Sequence, residues 1–164
     1  MDRLMTIGYE KTGLDDFIAS LKAEGVTTLL DIRELPISRR KGFSKRALCE
    51  AVQTAGIEYR HERGLGSPKD IRHRLYADGD YSLFFASFKT YLRSQKALLT
   101  ALASELRGGV ALMCYERDPA TCHRSVVARH FEHLTGLTAK HIEVTSGTGS
   151  KRTRADSGQG VPTA

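Results

Sequence analysis

The chain has 164 residues, 40% of them hydrophobic and 27% charged, with 25 Lys+Arg against 19 Asp+Glu. That length fits one domain plus a tail, and that balance excludes a wholly disordered chain; a core of this size needs neither disulfides nor a structural metal. The formal charge of +6 favours an anionic small molecule or a nucleic acid as partner.

No apolar run reaches the roughly 18 residues of a membrane span, so no membrane partner is expected. Met1-Asp2-Arg3-Leu4 lacks the basic leader and apolar stretch of a signal peptide. Three scattered cysteines, Cys49, Cys114 and Cys122, do not make a disulfide framework. They suit a reducing, cytoplasmic setting.

In chain order, Leu4 to Tyr9 is a short apolar run that reads as a strand. Thr12-Gly13-Leu14-Asp15 has the spacing of a capping box, with Asp in place of Glu. Leu14, Phe17, Ile18 and Leu21 then fall on one helical face, and Gly25 ends that helix. Val26 to Ile32 is β-branched and apolar and reads as a buried strand. After a basic loop, Ser44 is placed to cap a helix carrying Ala47, Leu48, Ala51, Val52 and Ala55, which Gly56 closes. Ile57 to His61 alternates like a strand, Gly64 to Pro68 is a turn cluster, and Lys69 to Asp80 has room for a short helix.

One long helix is expected from about Leu83 to Leu106, with Phe88, Leu92, Gln95, Leu99, Leu102 and Leu106 along one face. Val110 to Cys114 is an apolar strand. Asp118-Pro119 opens a last helix whose core face is Val127, Phe131 and Leu134. Leu137 to Val144 is a final strand. Strands alternating with helices in this way predict a single-domain α/β fold over 1–144. Its predominantly parallel open sheet has about five strands, with helices on both faces. Residues 145–164 hold one apolar side chain larger than alanine, Val161, and read as a disordered, weakly basic tail.

Ligands of an open parallel sheet bind beyond the carboxyl ends of its strands. Those ends are Gly8-Tyr9-Glu10, Asp31-Ile32-Arg33, His61-Glu62-Arg63 and Cys114-Tyr115-Glu116-Arg117, so Tyr9 and Cys114 join the candidates that touch a ligand. The segment Cys114 to Arg124 runs from strand end to helix start, and a helix N-terminus attracts anions through its free N–H groups and dipole. Arg124 adds a fork for phosphate or carboxylate. Glu116 is a candidate acid or base. Cys122, beside His123 and Arg124 in the helix field, is either a nucleophile favoured as thiolate or a small packed residue. Arg33 to Arg46 adds Arg39 and further cations near the same edge, with Phe43 available to stack on a base. Asp31 and Arg33 lie on one strand face, as a structural ion pair or as an acid/base group held by its arginine.

Several motifs are excluded. Ala120 stands where a thiol phosphatase loop beginning at Cys114 needs arginine, and the glycine-rich loops of dinucleotide and P-loop sites are absent. Cys114, Cys122, His123, His130 and His133 do not have finger or ribbon spacing, so no metal or other cofactor is expected. His130 shares a helical face with Val127 and Leu134 and reads as a half-buried packing residue.

TIGYE, DIRELPIS with GFSKRAL, GIEYRHERGLG and LMCYERDPATCHR together resemble the domain of unknown function 488 family, the YeaO-like group, over about residues 4–135. The last block holds the pattern of Cys114, Glu116, Pro119, Cys122, His123 and Arg124 in full. The resemblance implies a compact α/β domain and supplies no reaction. The sequence thus points to an enzyme acting on a phosphorylated or nucleotide-like ligand, with Asp31, Glu116 and Cys122 as catalytic candidates. Tyr9, Arg33, Arg39, Cys114, His123 and Arg124 are the binding candidates. The rivals are a non-catalytic nucleic-acid-binding module using loop 33–46, and a thiol redox protein, whose Cys114–Cys122 couple requires Cα atoms within about 7 Å.

Overall fold

A computed structural model describes residues 1–147, so the expected tail lies, from residue 148 onward, outside the described residues. The elements in chain order are β1 (Arg3–Gly8), α1 (Leu14–Ala23), β2 (Thr28–Asp31), α2 (Lys45–Thr54), β3 (Glu58–His61), α3 (Lys69–Asp78), α4 (Tyr81–Arg93), α5 (Lys96–Glu105), β4 (Gly109–Cys114), α6 (Arg124–Thr135) and β5 (Lys140–Ile142). The strands form one five-stranded sheet in the order β3-β2-β4-β1-β5, and every pairing is parallel. The α/β architecture expected from the alternating pattern is the one observed.

The strand order sorts the helices. The chain steps one way from β1 to β2 to β3, then returns to β4 and on to β5. Right-handed crossovers therefore put α1 and α2 on one face and the later helices on the other. The two cores agree. Phe17, Leu21, Leu48 and Val52 pack against Met5, Ile7, Leu29 and Met113. Phe88, Leu92, Leu99, Leu102, Val127 and Phe131 pack against Leu4, Leu30, Val110 and Leu112. The alternation of strand side chains between the two clusters is the two-residue period of a strand buried on both sides.

Five local expectations are corrected. The long helix over 83–106 is two helices, α4 and α5, because the Ser94 hydroxyl donates to the Tyr91 carbonyl and the N–H groups of Ser94 and Gln95 reach back only three residues. The apolar face carries on across the break. Thr12 does not cap α1: its hydroxyl donates to Tyr9 O at 2.8 Å, and Gly13 is the N-cap. Ser44 stands at the N-cap of α2 but spends its hydroxyl on Ser38. Asp118-Pro119 opens only a 3-10 turn, Pro119–Thr121; the chain extends again at Cys122, and α6 starts at Arg124. Within α6, Val127 and Phe131 are buried but Leu134 is 43% exposed.

Asp80 is a side-chain cap, accepting the Leu83 N–H at 2.9 Å at the start of α4. Replacing it with alanine should cost about 1 kcal/mol. The check is a urea midpoint that falls with an unchanged slope.

Candidate functional site

The sheet register brings the strand ends level. Gly8 pairs with Cys114, and Asp31 lies between Met113 and His61. The loops that follow therefore rise from one edge. Two of them carry the DIR and CHR segments, about ninety residues apart in sequence, and a hydrogen bond joins them directly: His123 Nε2 to the Ile32 carbonyl, 2.9 Å.

Asp31 is fully buried at the end of β2. Its carboxylate takes a bidentate fork from Arg33, Nε to Oδ1 at 2.9 Å and Nη2 to Oδ2 at 2.7 Å. The Arg33 backbone N–H (3.1 Å) and the Tyr59 hydroxyl (2.6 Å) complete it. Arg33 Nη1 donates to the Phe43 carbonyl at 2.6 Å and the Tyr9 hydroxyl at 3.1 Å. Burial works against the Arg33 charge, but the Asp31 hydrogen bonds and charge outweigh it and hold the guanidinium above its ordinary pKa. Burial, with the Asp31 carboxylate beside it, likewise pushes the Tyr59 phenol up. Phe43 is fully buried and stacked on Tyr9, ring centroids 4.5 Å apart, so it is not free to stack on a base as expected.

Arg124, at the start of α6, is only 1% exposed. Its Nη1 donates to the Glu116 carbonyl and, at 3.3 Å, to Cys114 Sγ. Nη2 reaches the Arg117 carbonyl at 3.0 Å, and Nε reaches Thr6 Oγ1 at 3.2 Å. Among the described residues no carboxylate lies within ion-pair distance of it. Burial lowers its pKa to about 10.

Glu116 Oε2 lies 3.4 Å from Cys114 Sγ, and burial pushes its carboxyl above the usual range. His123 is buried edge-on to Phe88, centroids 5.2 Å apart, and burial pushes its pKa down to about 4. Cys122 Sγ accepts the Arg124 backbone N–H at 3.4 Å, so the start of α6 points at sulfur. The sulfurs of Cys114 and Cys122 meet as a disulfide, yet the Cα atoms stand 7.4 Å apart. That separation lies somewhat beyond the roughly 4.4–6.8 Å of ordinary disulfides, but with the sulfurs bonded it does not exclude an internal couple.

Above these groups lies an open cavity of about 660 Å³. Of the sequence candidates, Tyr9, Arg33, Arg39, Cys114, Glu116 and His123 line it. Asp31, Cys122 and Arg124 do not; they sit one layer below, in contact with residues that do. Arg40 and Arg72 add charge to the wall, Arg72 paired with Glu34 at 3.5 Å. The rim carries Leu35, Ile37, Tyr76 and Tyr115, all large and 47–76% exposed. Sequence reasoning missed Arg72 and Tyr76, which come from α3, an amphipathically weak helix with no buried residue and no motif. Of the other cations of the basic loop, Arg46 pairs with Glu50 on α2, and Lys45 approaches His61.

No helix among the described residues is long and apolar enough to cross a membrane. In comparison with known proteins, the family model described as domain of unknown function DUF488 matches residues 13–131. No curated protein and no solved structure matches the chain.

Proposed function

The chain belongs to the DUF488 family, whose description assigns no reaction, and from the site itself we propose that it is an enzyme acting on a phosphorylated, nucleotide-like ligand held at the carboxyl edge of the sheet. One observation carries the reading: a single cavity combines an interior lined by Arg33, Arg39, Arg40 and Arg72 with an aromatic and aliphatic rim. Arginine forks suit phosphate oxygens, and exposed tyrosines offer faces to a flat heterocycle. A ligand with a charged end and an apolar end fits both halves. A bare basic surface, which would attract any polyanion, needs no such rim.

In this reading Arg39 and Arg40 contact the anion, and Arg33 is positioned by Asp31 and Tyr9 as part of the wall. Glu116, a cavity carboxyl that burial inclines to hold its proton, donates or accepts one at the reacting group. Cys114 and Cys122 are both buried, and of the two it is Cys114 that lines the cavity and would face the ligand as a thiol once the disulfide is reduced.

The test is a thermal-shift and calorimetric screen with inorganic phosphate, nucleoside mono- and diphosphates, and short oligonucleotides. A nucleotide should stabilise the protein more than phosphate does, and Arg39→Ala should weaken it about tenfold or more, since a hydrogen bond to a charged group contributes about 1.5–3 kcal/mol. Glu116→Gln should retain binding and lose turnover of the ligand so identified. Oligonucleotide binding that falls steeply with salt and ignores both substitutions would replace the enzyme by a docking module.

A further inference from the structure

Three buried side chains at the cavity floor have a use beyond holding an anion. Cys114 Sγ, Cys122 Sγ and a ring nitrogen of His123 lie within 4.8 Å of one another. We infer that once a thiol reductant supplies the two electrons and two protons that open the Cys114–Cys122 disulfide, these three atoms form a zinc site, the two thiols giving up their protons to the metal and the fourth position directed at the arginine-lined cavity.

The placement follows from the fold. Cys114 is the last residue of β4, while Cys122 and His123 immediately precede α6, so the helix start folds back over the strand end. Finger spacing is absent because sheet register, not a short knuckle, brings the ligands together. His123 adds the most specific detail. Its Nε2 is engaged with the Ile32 carbonyl at 2.9 Å, which fixes Nε2 as the protonated nitrogen. Nδ1 is left with its lone pair, and it faces Cys122 Sγ at 3.8 Å. A backbone carbonyl on the far ring nitrogen is the usual support of a metal-binding imidazole.

The sulfurs are also prepared. Cys114 Sγ faces Arg124 Nη1 and Cys122 Sγ faces the Arg124 backbone N–H, one donor to each. Donors of this kind stabilise thiolates, the form that binds zinc. The 7.4 Å between the cysteine Cα atoms is wider than most disulfides span, so after reduction the two sulfurs have room to part around an ion with Zn–S bonds of about 2.3 Å. Cys114 and His123 both line the cavity while Cys122 does not, so a remaining coordination position opens toward the ligand. Three protein ligands with one open position is the pattern of a working rather than a structural zinc.

This inference does not depend on the identity of the ligand, and the two fail separately. The experiment uses the full chain, reduced, stripped of metal with a chelator and kept from air. Titration with Co²⁺ should give thiolate-to-metal charge-transfer absorption that saturates at one ion per chain and is displaced by Zn²⁺. Zn²⁺ should protect two of the three thiols from alkylation, with Cys49 remaining reactive. Cys114→Ser and Cys122→Ser should abolish the absorption, His123→Gln should weaken Co²⁺ binding at least tenfold, and Cys49→Ser should change nothing. Equal alkylation of the unaltered protein with and without Zn²⁺, or a Cys114–Cys122 disulfide that persists under millimolar thiol reductant, overturns the site. Because both of those readouts use the unaltered chain, misfolding of a variant cannot shield the inference. Nucleotide stabilisation that persists in the zinc-free protein would retain the ligand reading without the metal.

Discussion

Asp31→Ala should be among the most damaging single substitutions in the protein, costing about 3–5 kcal/mol, because it leaves a buried guanidinium without its counter-charge. Arg33 is only 6% exposed, and three of its interactions end on the one carboxylate. The Tyr59 hydroxyl also loses its acceptor. Urea unfolding should show the loss as a lower midpoint. Arg33→Met alone should cost a similar amount, since it strands a carboxylate in the same place. The double substitution Asp31→Ala with Arg33→Met removes both charges and should be less damaging than the sum of the two singles. A single-substitution cost below about 1 kcal/mol would place the pair in the class of solvent-screened surface bridges and contradict the buried geometry. The result also bears on function. A pair whose carboxylate is covered by four donors is built to hold Arg33 at the cavity wall, and proton transfer by Asp31 would need that cage to open.

How much of this was legible in the sequence differs by level. Strands buried on both faces announce themselves as apolar runs, and VTTLLDI and VALMC needed no tertiary information. The rule that ligands sit beyond the carboxyl strand ends then selected Tyr9, Arg33, Cys114 and Glu116 without any motif, and the sheet register places those ends side by side. What failed was local competition among hydrogen bonds. Thr12, Ser44 and Ser94 each have a hydroxyl that helix-capping or helix-continuing patterns assign one way and the folded chain uses another way. The Pro119 error mattered more. Reading a helix from Asp118 put Cys122 inside its first turns; the actual 3-10 turn holds Cys122 and His123 outside α6, where they meet Cys114. Cys114, Cys122 and His123 are set aside as metal ligands on another ground, the lack of finger or ribbon spacing, a rule that does not cover ligands brought together by sheet register. Arg72 and Tyr76 were hidden for a further reason: nothing in α3 indicates which face it turns to the cavity, because the helix buries no residue.

Gly8→Ala is the second large effect, and it acts through space rather than backbone conformation. Gly8 is the last residue of β1, paired with Cys114, and has no positive φ. A methyl group there falls far inside the contact distance of the Glu116 carbonyl oxygen and 2.9 Å from Arg124 Nη1. One side is main chain and the other is the buried end of a side chain that cannot swing into solvent. The loop Glu116–Arg117 must therefore lift, and the Arg124 guanidinium loses the two carbonyls it now donates to. Overpacking commonly costs about 1–3 kcal/mol, and stranding a buried charged donor adds to that, so the total should reach about 3 kcal/mol or more. Gly13→Ser is the matched control. Gly13 is the N-cap of α1, with extended backbone and nothing within 4 Å of the added Cβ. Serine is at least as good as glycine at that position, so the control should be neutral or slightly stabilising. The lifted loop carries Glu116 away from Cys114 as well. Gly8→Ala should therefore lose turnover of the ligand at temperatures where the chain is still folded, as read by an activity assay well below its own unfolding midpoint. Full turnover with a lowered midpoint would mean that the Glu116 carboxyl takes no part in the reaction.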